Sequence, residues 1–417
     1  APAMAPRADI TRRRLLAQGL ALGCSAAASP FVTPVALAAA PWDARLVVII
    51  LRGGMDGLDV VRPVGDPGFA ALRPDAAAAA DAPALTGPFA LHPALAPLMG
   101  MWARGELAVA HAVSTPYRDR RSHFDGQDLL EAGAGFAAGT PRPRDGWLNR
   151  MLQAVPGVEA RTAFAVGRED LLLLSGDAPV ANWAPETRLA LSPQAERLLS
   201  LLYEGDPLFH AAAAEAIDLT GAMAAAPPLA EMMGDGPEAD AMAGMMAGPG
   251  GGATGHLALA EFTAQQLRGD SRIAAFSLNG WDTHRNQQGA LPRALGRLAD
   301  VLRALELGLG PVWGRTAVLA MTEFGRTARL NGTGGTDHGT GGAMVMAGGA
   351  LRGGRVHTAW PGLTEADLYD RRDLMPTEDV RAYAAATMQG LFGLDRTVLE
   401  GAVFPGLDMS AVGPVVL

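Results

Sequence analysis

Residues 46–51, Leu46-Val-Val-Ile-Ile-Leu51, decide the fold class, because six successive apolar residues are typical of a strand buried on both faces. The run leads to Gly53-Gly-Met-Asp56-Gly57, whose glycines allow a tight turn and a close approach of the backbone to a ligand. The same order, an apolar run followed by a polar cluster, recurs later in the chain. It predicts a parallel sheet that carries polar side chains at the carboxyl ends of its strands.

Apolar runs and helical patterns alternate along the chain, which predicts an α/β fold with a mostly parallel central sheet. The predicted strands are 45–51, 107–113, 162–166, 273–278, 316–321 and 343–347. The predicted helices are 192–203, 208–223, 257–268, 291–307 and 377–391. We expect residues 39–417 to form a single domain. A segment rich in Ala, Met, Gly and Pro at about 224–255 is interpreted as a flexible insertion, either a lid or a disordered loop.

Composition limits the classes of function. Of the 417 residues, 49% are apolar and 18% are charged, so the chain can fill a core. The formal net charge is −9, which disfavours a nucleic-acid partner because phosphate contacts require cationic surface. The oligomeric state is left open by the sequence.

The amino-terminal segment has the pattern of a twin-arginine export signal. Thr11-Arg12-Arg13-Arg14-Leu15-Leu16 precedes an apolar stretch at 15–28, and Ala36-Leu37-Ala38 supplies small residues for cleavage. We therefore expect residues 1–38 to be removed and the protein to be periplasmic or secreted, without a transmembrane anchor. The only cysteine, Cys24, lies in this segment, so we expect no disulfide in the mature chain.

Carboxylates and imidazoles cluster beside three of the later strands. Each cluster alone is compatible with a structural turn, as is Asp56 in its own turn. Their joint placement beside strands instead predicts one shared site, and mixed oxygen and nitrogen ligands suit zinc or manganese. The candidate metal ligands are Asp56 after 46–51, Asp282 and His284 after 273–278, Glu323 after 316–321, and Asp337 and His338 before 343–347.

A serine and nearby arginines provide a candidate nucleophile and anion clamp. Ser122 begins Ser-His-Phe-Asp125 before a helical run, so it is either an ordinary helix cap or a nucleophile placed where backbone amides favour anions. Arg118 and Arg121 could hold a phosphoryl or sulfuryl group through their planar guanidinium forks. Ser114 is an alternative nucleophile, because Ser114-Thr-Pro-Tyr-Arg118 fits the short Ser-x-Pro-x-Arg pattern of serine-type sulfatases.

Five motifs in a fixed order, together with the twin-arginine start, resemble the DUF1501 family of exported bacterial proteins. The motifs are Leu51-Arg-Gly-Gly-Met-Asp-Gly-Leu58, Arg121-Ser-His-Phe124, Gly280-Trp-Asp-Thr-His284, Thr322-Glu-Phe-Gly-Arg326 and Thr336-Asp-His-Gly-Thr-Gly341. That family is of unknown function and is grouped with the alkaline phosphatase and sulfatase superfamily. The resemblance implies a three-layer α/β/α sandwich whose metal site hydrolyses phosphate or sulfate esters.

The resemblance also implies roles for individual residues. Asp56 matches the first-strand aspartate that binds metal, Ser122 the nucleophile, and His338 the late histidine. Phe324 stands where the superfamily has a metal-binding histidine, so one or two divalent ions (zinc, manganese or calcium) are expected. The predicted function is hydrolysis of a small-molecule or glycan ester. The alternative is a non-catalytic exported binding protein with a degenerate metal site.

Overall fold

The computed structural model describes residues 42–118, 121–135, 144–167, 171–183 and 255–417. These residues belong to one compact unit, Ala40–Leu417. The predicted signal at 1–38, the predicted helices at 192–203 and 208–223, and the insertion at 224–255 except its last residue lie outside the described part. Among the helices that are described, none combines the length and the apolar character needed to span a membrane.

All six predicted strands form within one residue of their predicted ends. The strands are β1 (Arg45–Arg52), β2 (Val61–Arg62), β3 (Ala90–Leu91), β4 (Leu107–Ser114), β5 (Ala163–Val166), β6 (Ala181–Trp183), β7 (Ile273–Asn279), β8 (Thr316–Met321), β9 (Gly342–Ala347), β10 (Arg355–His357) and β11 (Glu378–Asp379). Five of these are short edge or accessory strands that the apolar pattern does not reveal: β2, β3, β6, β10 and β11.

The α-helices include three of the predicted ones, namely α7, α8 and α9. The helices are α1 (Gly57–Val60), α2 (Pro67–Leu72), α3 (Pro74–Ala77), α4 (Met99–Ala103), α5 (His123–Ala132), α6 (Trp147–Gln153), α7 (Gly255–Arg268), α8 (Gln287–Leu309), α9 (Val380–Phe392) and α10 (Arg396–Val398). Short 3-10 turns span Pro93–Leu98, Ala160–Thr162, Leu172–Leu174 and Gly310–Arg315, and a π-helical turn spans Leu399–Val403.

Nine strands form one sheet in the order β10-β4-β9-β8-β1-β7-β5-β6, and β11 also pairs with β4. The central strand β1 runs parallel to both neighbours: Val47 pairs with Ala274 of β7 and with Val318 of β8. Among the pairings within this sheet, only those of β9 with β4 and β8 are antiparallel. The predicted α/β class with a mostly parallel central sheet is therefore confirmed.

Side chains of β1 alternate between two apolar cores, one on each face of the sheet. Val47, Ile49 and Leu51 belong to a core that includes residues of α7 and α8. Leu46, Val48 and Ile50 belong to a core that includes residues of α6 and α9. Each of these six side chains has no exposed surface, and burial of each contributes roughly 1.5–3 kcal/mol. The continuous apolar run is explained by this two-sided burial.

The direction of β9 decides where the candidate site lies. Because β9 runs antiparallel to β4 and β8, its amino end lies at the same rim as the carboxyl ends of those two strands. The polar residues that precede β9 and those that follow β7 and β8 therefore meet at one rim.

A buried histidine stabilises a bulge in β4. The register shifts between His111 and Val113, and Ala112 takes a left-handed φ of 58°. His111 Nε2 lies 2.8 Å from the carbonyl oxygen of Val61, while His111 Nδ1 accepts a hydrogen bond from the Ala112 amide. Both ring nitrogens are thus satisfied by the backbone, which makes this histidine structural.

Candidate metal centre

Polar side chains from four chain segments meet at the rim where β7 and β8 end. The segments contribute His123 at the start of α5, Asp282 and His284 after β7, Glu323 after β8, and Asp337 and His338 before β9. Of the six predicted metal ligands, the structure therefore brings five together, and it adds His123.

Three imidazoles surround the carboxylate of Asp282. Asp282 Oδ1 lies 3.1 Å from His284 Nε2 and 3.6 Å from His338 Nε2, and Asp282 Oδ2 lies 3.4 Å from His123 Nε2. The ligand atoms of His123, Asp282 and His338 all lie within 4.8 Å of one another. His284 Nε2 lies 2.9 Å from His338 Nε2. We call these four side chains the histidine cluster.

The other ring nitrogen of each histidine, Nδ1, lies beside an oxygen acceptor. The contacts are His123 Nδ1 with Glu323 Oε1 at 2.8 Å, His284 Nδ1 with Asp337 Oδ1 at 3.3 Å, and His338 Nδ1 with the Arg121 carbonyl oxygen at 2.8 Å. Because carbonyls and ionised carboxylates carry no hydrogen, Nδ1 must donate in each contact. A neutral ring held in this way carries its lone pair on Nε2, on the side of Asp282.

Two features of these Nε2 atoms fit a role as metal ligands. His123 Nε2 is buried and makes no hydrogen bond. His284 Nε2 and His338 Nε2 face each other, and two lone pairs 2.9 Å apart repel unless they share a proton or a cation. The cluster is therefore electron-rich and arranged as ligands of a metal are.

The spacing of the cluster also fits a tetrahedral ion. Ligand atoms about 2.0–2.1 Å from zinc, set at tetrahedral angles, are separated from one another by about 3.3–3.4 Å. The four close contacts within the cluster measure 2.9, 3.1, 3.4 and 3.6 Å, which bracket that separation. These contacts involve both oxygens of Asp282, and the ligand atoms that all lie within 4.8 Å of one another are those of His123, Asp282 and His338. Three of the four side chains therefore already lie close to the spacing of metal ligands.

Charges around the cluster keep the acids ionised and differentiate the histidines. Burial opposes ionisation of Asp282, but Arg326 outweighs it and lowers the Asp282 pKa. Burial likewise opposes ionisation of Glu323, but the hydrogen bond from His123 and backbone donors lower the Glu323 pKa. The same hydrogen bond raises the pKa of His123, whereas burial lowers the pKa of His338. His338 is consequently the better neutral ligand at mildly acidic pH.

Arg326 fixes the loop that holds Asp282. Its guanidinium is buried and donates to the carbonyl oxygens of Gly53 and Gly54 and to the Asp282 carboxylate. The side chain thereby ties the turn after β1 to the turn after β7. One oxygen of Asp282 is oriented by this permanent cation.

Phe324 forms an apolar wall behind two of the imidazoles. Its ring centroid lies 5.1 Å from that of His123 and 5.0 Å from that of His338. Glycines make room for it, because a Cβ atom on Gly54 or Gly126 would come within 3.0 Å of the ring. Phe324 therefore restricts the orientation of both rings.

Glu323 lies behind His123. The carboxylate is fully buried and accepts hydrogen bonds from the Gly53 amide at 2.9 Å and the Thr322 hydroxyl at 3.0 Å. It also accepts from His123 at 2.8 Å and from the Gln127 amide at 3.3 Å. This arrangement is a carboxylate–histidine pair, which orients a metal-binding imidazole and increases its basicity.

A chain of polar contacts extends from Glu323 into the protein. Gln127 donates to Glu323 and accepts from Arg52 at 2.8 Å. Arg52 pairs with Glu131 at 3.0 Å, and Glu131 accepts from the Leu173 amide at 3.1 Å. Burial raises the pKa of Glu131. The Glu323 carboxylate that orients His123 is thus linked to Glu131 through the side chains of Gln127 and Arg52.

Asp56 occupies a different environment. Its Oδ2 atom bonds the Arg73 guanidinium at 2.8 Å and the Gln287 amide at 2.6 Å, and its Oδ1 atom accepts from the Leu58 amide that it caps. The Asp56 side chain is 1% exposed. Both carboxylate oxygens are therefore bound by donors of the chain, and no contact joins Asp56 to the histidine cluster among the described residues.

Ser122 caps α5 directly before His123. Its hydroxyl accepts from the Asp125 amide over a long 3.4 Å contact, and the Tyr117 hydroxyl lies near its backbone amide. Ser122 is partly exposed. The predicted position at a helix N-terminus is confirmed, and its nucleophilic role stays a prediction.

The other predicted catalytic groups have different surroundings. Ser114 is 4% exposed and donates to the Thr115 carbonyl. Arg118 Nη1 donates to Ser114 Oγ at 3.1 Å and to carbonyl oxygens of its own turn. The Arg121 carbonyl oxygen accepts from His338, and Arg121 is exposed. Arg121 is therefore the more accessible of the two arginines.

Several groups in and around the centre have roles that the sequence did not predict. The structure adds His123 as a candidate ligand, Arg326 and Gln287 as organisers of carboxylates, and Phe324 as a wall. His123 and Arg326 lie inside motifs that already contained predicted site residues, and that proximity was the available signal. Gln287 has no such signal, because its role depends on how α8 approaches β1.

Comparison with known proteins defines the family. No curated protein matches the chain. A family model described as "Protein of unknown function (DUF1501)" matches residues 43–403, which is most of the chain and includes every residue of the centre. The chain therefore belongs to the DUF1501 family.

Proposed function

We propose that the histidine cluster binds one divalent transition-metal ion and that the protein hydrolyses phosphate or sulfate esters. The observation that carries this proposal is the orientation of three Nε2 atoms around Asp282, each with its Nδ1 fixed by an oxygen acceptor. A set of three nitrogens and one carboxylate suits zinc, with manganese as the alternative. Calcium fits poorly because it prefers oxygen ligands throughout.

The ligand set is narrower than the one expected from sequence. His123, Asp282 and His338 would bind the ion, and His284 would complete the set. Glu323 and Asp337 would orient imidazoles from behind. Asp56 would serve the structure through its pair with Arg73, and this favours one ion over two.

Ser122 is the proposed nucleophile. Bound at this position, the metal would polarise an ester oxygen and favour loss of a proton from the nucleophile. The weak capping bond of Ser122 leaves its hydroxyl able to turn towards a substrate. The amino end of the ten-residue helix α5 favours anions, and the exposed Arg121 can reach charged ester oxygens. Arg118 would instead hold the turn that contains Ser114.

We also propose a more specific fold and a location for the protein. A mostly parallel sheet with an apolar core on each face, and a site at the rim where its strands end, supports an alkaline-phosphatase-like α/β/α sandwich. The twin-arginine pattern at residues 11–16 supports export to the periplasm or beyond.

The test is a panel of 4-nitrophenyl phosphate, bis(4-nitrophenyl) phosphate and 4-nitrophenyl sulfate, assayed with zinc or manganese. We expect turnover of at least one ester that is lost in Ser122→Ala and in His338→Ala. Ser114→Ala is the matched serine control and should retain most of the activity. Turnover that survives Ser122→Ala would refute the serine mechanism, and turnover that survives metal removal would refute the metal centre.

A binding protein with one structural ion is the second candidate. It is favoured by Phe324, whose apolar ring packs on two imidazoles where a metal-binding histidine was expected. This candidate predicts stoichiometric zinc binding without turnover of any ester in the panel.

A further inference from the structure

A polar cavity lies near the histidine cluster and contains none of its residues. Its volume is about 490 Å³, within the range of small-molecule sites. Five lining side chains are buried polar groups, namely Asp59, Arg62, Arg73, His92 and Gln287, each at most 7% exposed. Buried side chains of this kind around a cavity are unusual unless they hydrogen-bond one another or a ligand.

The lining is balanced in charge. The lining contains two charges of each sign: Asp59 and Arg62, which pair at 2.9 Å, and Asp75 and Arg73. Arg73 is bound to Asp56, which does not line the cavity, and Asp75 accepts a hydrogen bond from Gln288. Burial lowers the pKa of His92, so its ring adds no charge near neutral pH. Neither a strong anion nor a strong cation would therefore be favoured, because each would meet a like charge.

Hydrogen-bonding groups of both kinds remain available in this lining. His92 Nδ1 accepts from the Ala94 amide, so the neutral ring carries its hydrogen on Nε2, which has no acceptor among the described residues. Arg62 has N–H groups beyond those bound to Asp59 and to the Ala76 carbonyl. Gln288 donates to Asp75 and keeps its amide oxygen as an acceptor. Hydroxyl groups both donate and accept, and so they match this mixture.

We propose that this cavity binds a neutral polyhydroxylated molecule, such as a single sugar ring or a cyclic polyol. The remaining N–H groups of Arg62, the Nε2–H group of His92 and the amide oxygen of Gln288 present donors and an acceptor that match neighbouring hydroxyls. The lining is mainly polar, with Leu330 as its one large apolar side chain. This site is independent of the proposed hydrolysis and requires no metal.

Gln287 forms the wall between the cavity and the histidine cluster. Its amide nitrogen bonds Asp56 and Asp59, and its amide oxygen accepts from Thr283 and Thr336. Thr283 lies between Asp282 and His284, and Thr336 precedes Asp337. A ligand in the cavity would therefore lie one side chain away from the loops that carry the cluster.

The test is ligand-observed NMR and calorimetry on the full chain without added metal, using glucose, mannose and myo-inositol as neutral probes. Glucose 6-phosphate and glucosamine serve as the anionic and cationic counterparts. We expect saturable binding of at least one neutral probe and weaker binding of both charged ones.

Two cavity variants locate the binding. His92→Asn keeps an acceptor for the Ala94 amide but removes the ring N–H, and we expect roughly tenfold weaker binding. Ala76→Leu narrows the cavity and should weaken binding further. His256→Asn is the matched control, because His256 does not line the cavity, and should bind like the wild type.

The outcomes separate cleanly. Loss of binding in both cavity variants, with unchanged melting temperatures, supports the site. The site is overturned if no neutral probe binds saturably, if both cavity variants bind the probe as tightly as the wild type, or if a charged probe binds more tightly than the neutral ones.

Discussion

Asp56 and Asp282 both follow a parallel strand of the same sheet, but their surroundings differ. Asp56 is almost fully buried and is bound by Arg73, Gln287 and a backbone amide. Asp282 is partly exposed and faces three imidazoles, one of which has a buried nitrogen without a hydrogen bond. Both carboxylates pair with a buried arginine, but Arg326 binds Asp282 only through Oδ1, whereas both oxygens of Asp56 are bound by donors of the chain. A carboxylate at a strand end is therefore available to a metal only when the chain does not bind both of its oxygens.

The largest effect we expect is on stability at Asp56. Arg73→Met leaves the Asp56 carboxylate buried without its cation, and breaking such a pair costs about 3–5 kcal/mol in the free energy of unfolding. Urea denaturation measures the loss. Zinc stoichiometry of the folded variant should be unchanged.

The double variant Asp56→Asn with Arg73→Met is the control for this prediction. Removing both charges should cost less than removing Arg73 alone. A fully stable Arg73→Met protein that no longer binds zinc would reverse the roles assigned to the two aspartates.

At Asp282 we expect the opposite pattern. Asp282→Asn removes the charge shared by three imidazoles, and zinc affinity should fall more than about 100-fold, because second-shell losses alone reach that size. Stability should also fall, but less than in Arg73→Met, because the buried Arg326 loses its charged partner while Asp282 itself is 46% exposed. Competition with a chelator measures the affinity.

Asp337→Asn provides the matched control, because Asp337 contacts His284 only through Nδ1. The loss of zinc affinity in Asp337→Asn should be less than about tenfold. Equal losses in both variants would argue against Asp282 as the central ligand.

His111 is a buried histidine outside the cluster, and its effect is expected on the pH dependence of stability. Burial lowers its pKa from 6.5 to about 4. The unfolded chain binds a proton below pH 6.5 that the folded chain refuses, so stability is complete above pH 6.5 and falls towards pH 4. The loss is on the order of 3 kcal/mol.

His111→Gln should flatten this part of the stability profile, although it begins from a lower stability. Urea denaturation of both proteins between pH 7 and pH 4 measures the difference. An unchanged slope in the variant would show that His111 is not the titrating group.

Behind His123 we expect effects on zinc affinity that act through Glu323. Glu323→Gln weakens the carboxylate–histidine pair and should lower zinc affinity about 10–100-fold. Gln127→Leu removes one contact to Glu323 and should lower it only several-fold, since that contact is 3.3 Å long. If Gln127→Leu had the larger effect, the chain of contacts from Arg52 would matter more than the Glu323 carboxylate itself.

The main strands and the three described central helices could be predicted because their patterns are local. Six buried residues in β1 require two-sided burial, and α8 shows apolar residues at helical spacing. The short strands β10 and β11 could not be predicted, because they exist only through pairing with β4.

The location of the candidate site could be predicted from the sequence, but only some of its residues could. Asp282 and His338 lie in motifs beside strands, so their convergence follows from the sheet. The ion pair between Asp56 and Arg73 joins residues 17 positions apart, and no local sequence pattern predicts it. His123 was not predicted as a ligand, because it follows Ser122, the residue of that motif that was interpreted as functional.

The most direct test of the central claim is an anomalous difference map from crystals grown with zinc. We expect one peak per chain, about 2.0–2.1 Å from Nε2 of His123 and His338 and within bonding distance of Asp282. A map without a peak at these atoms, or with its peak at Asp56, would contradict the account.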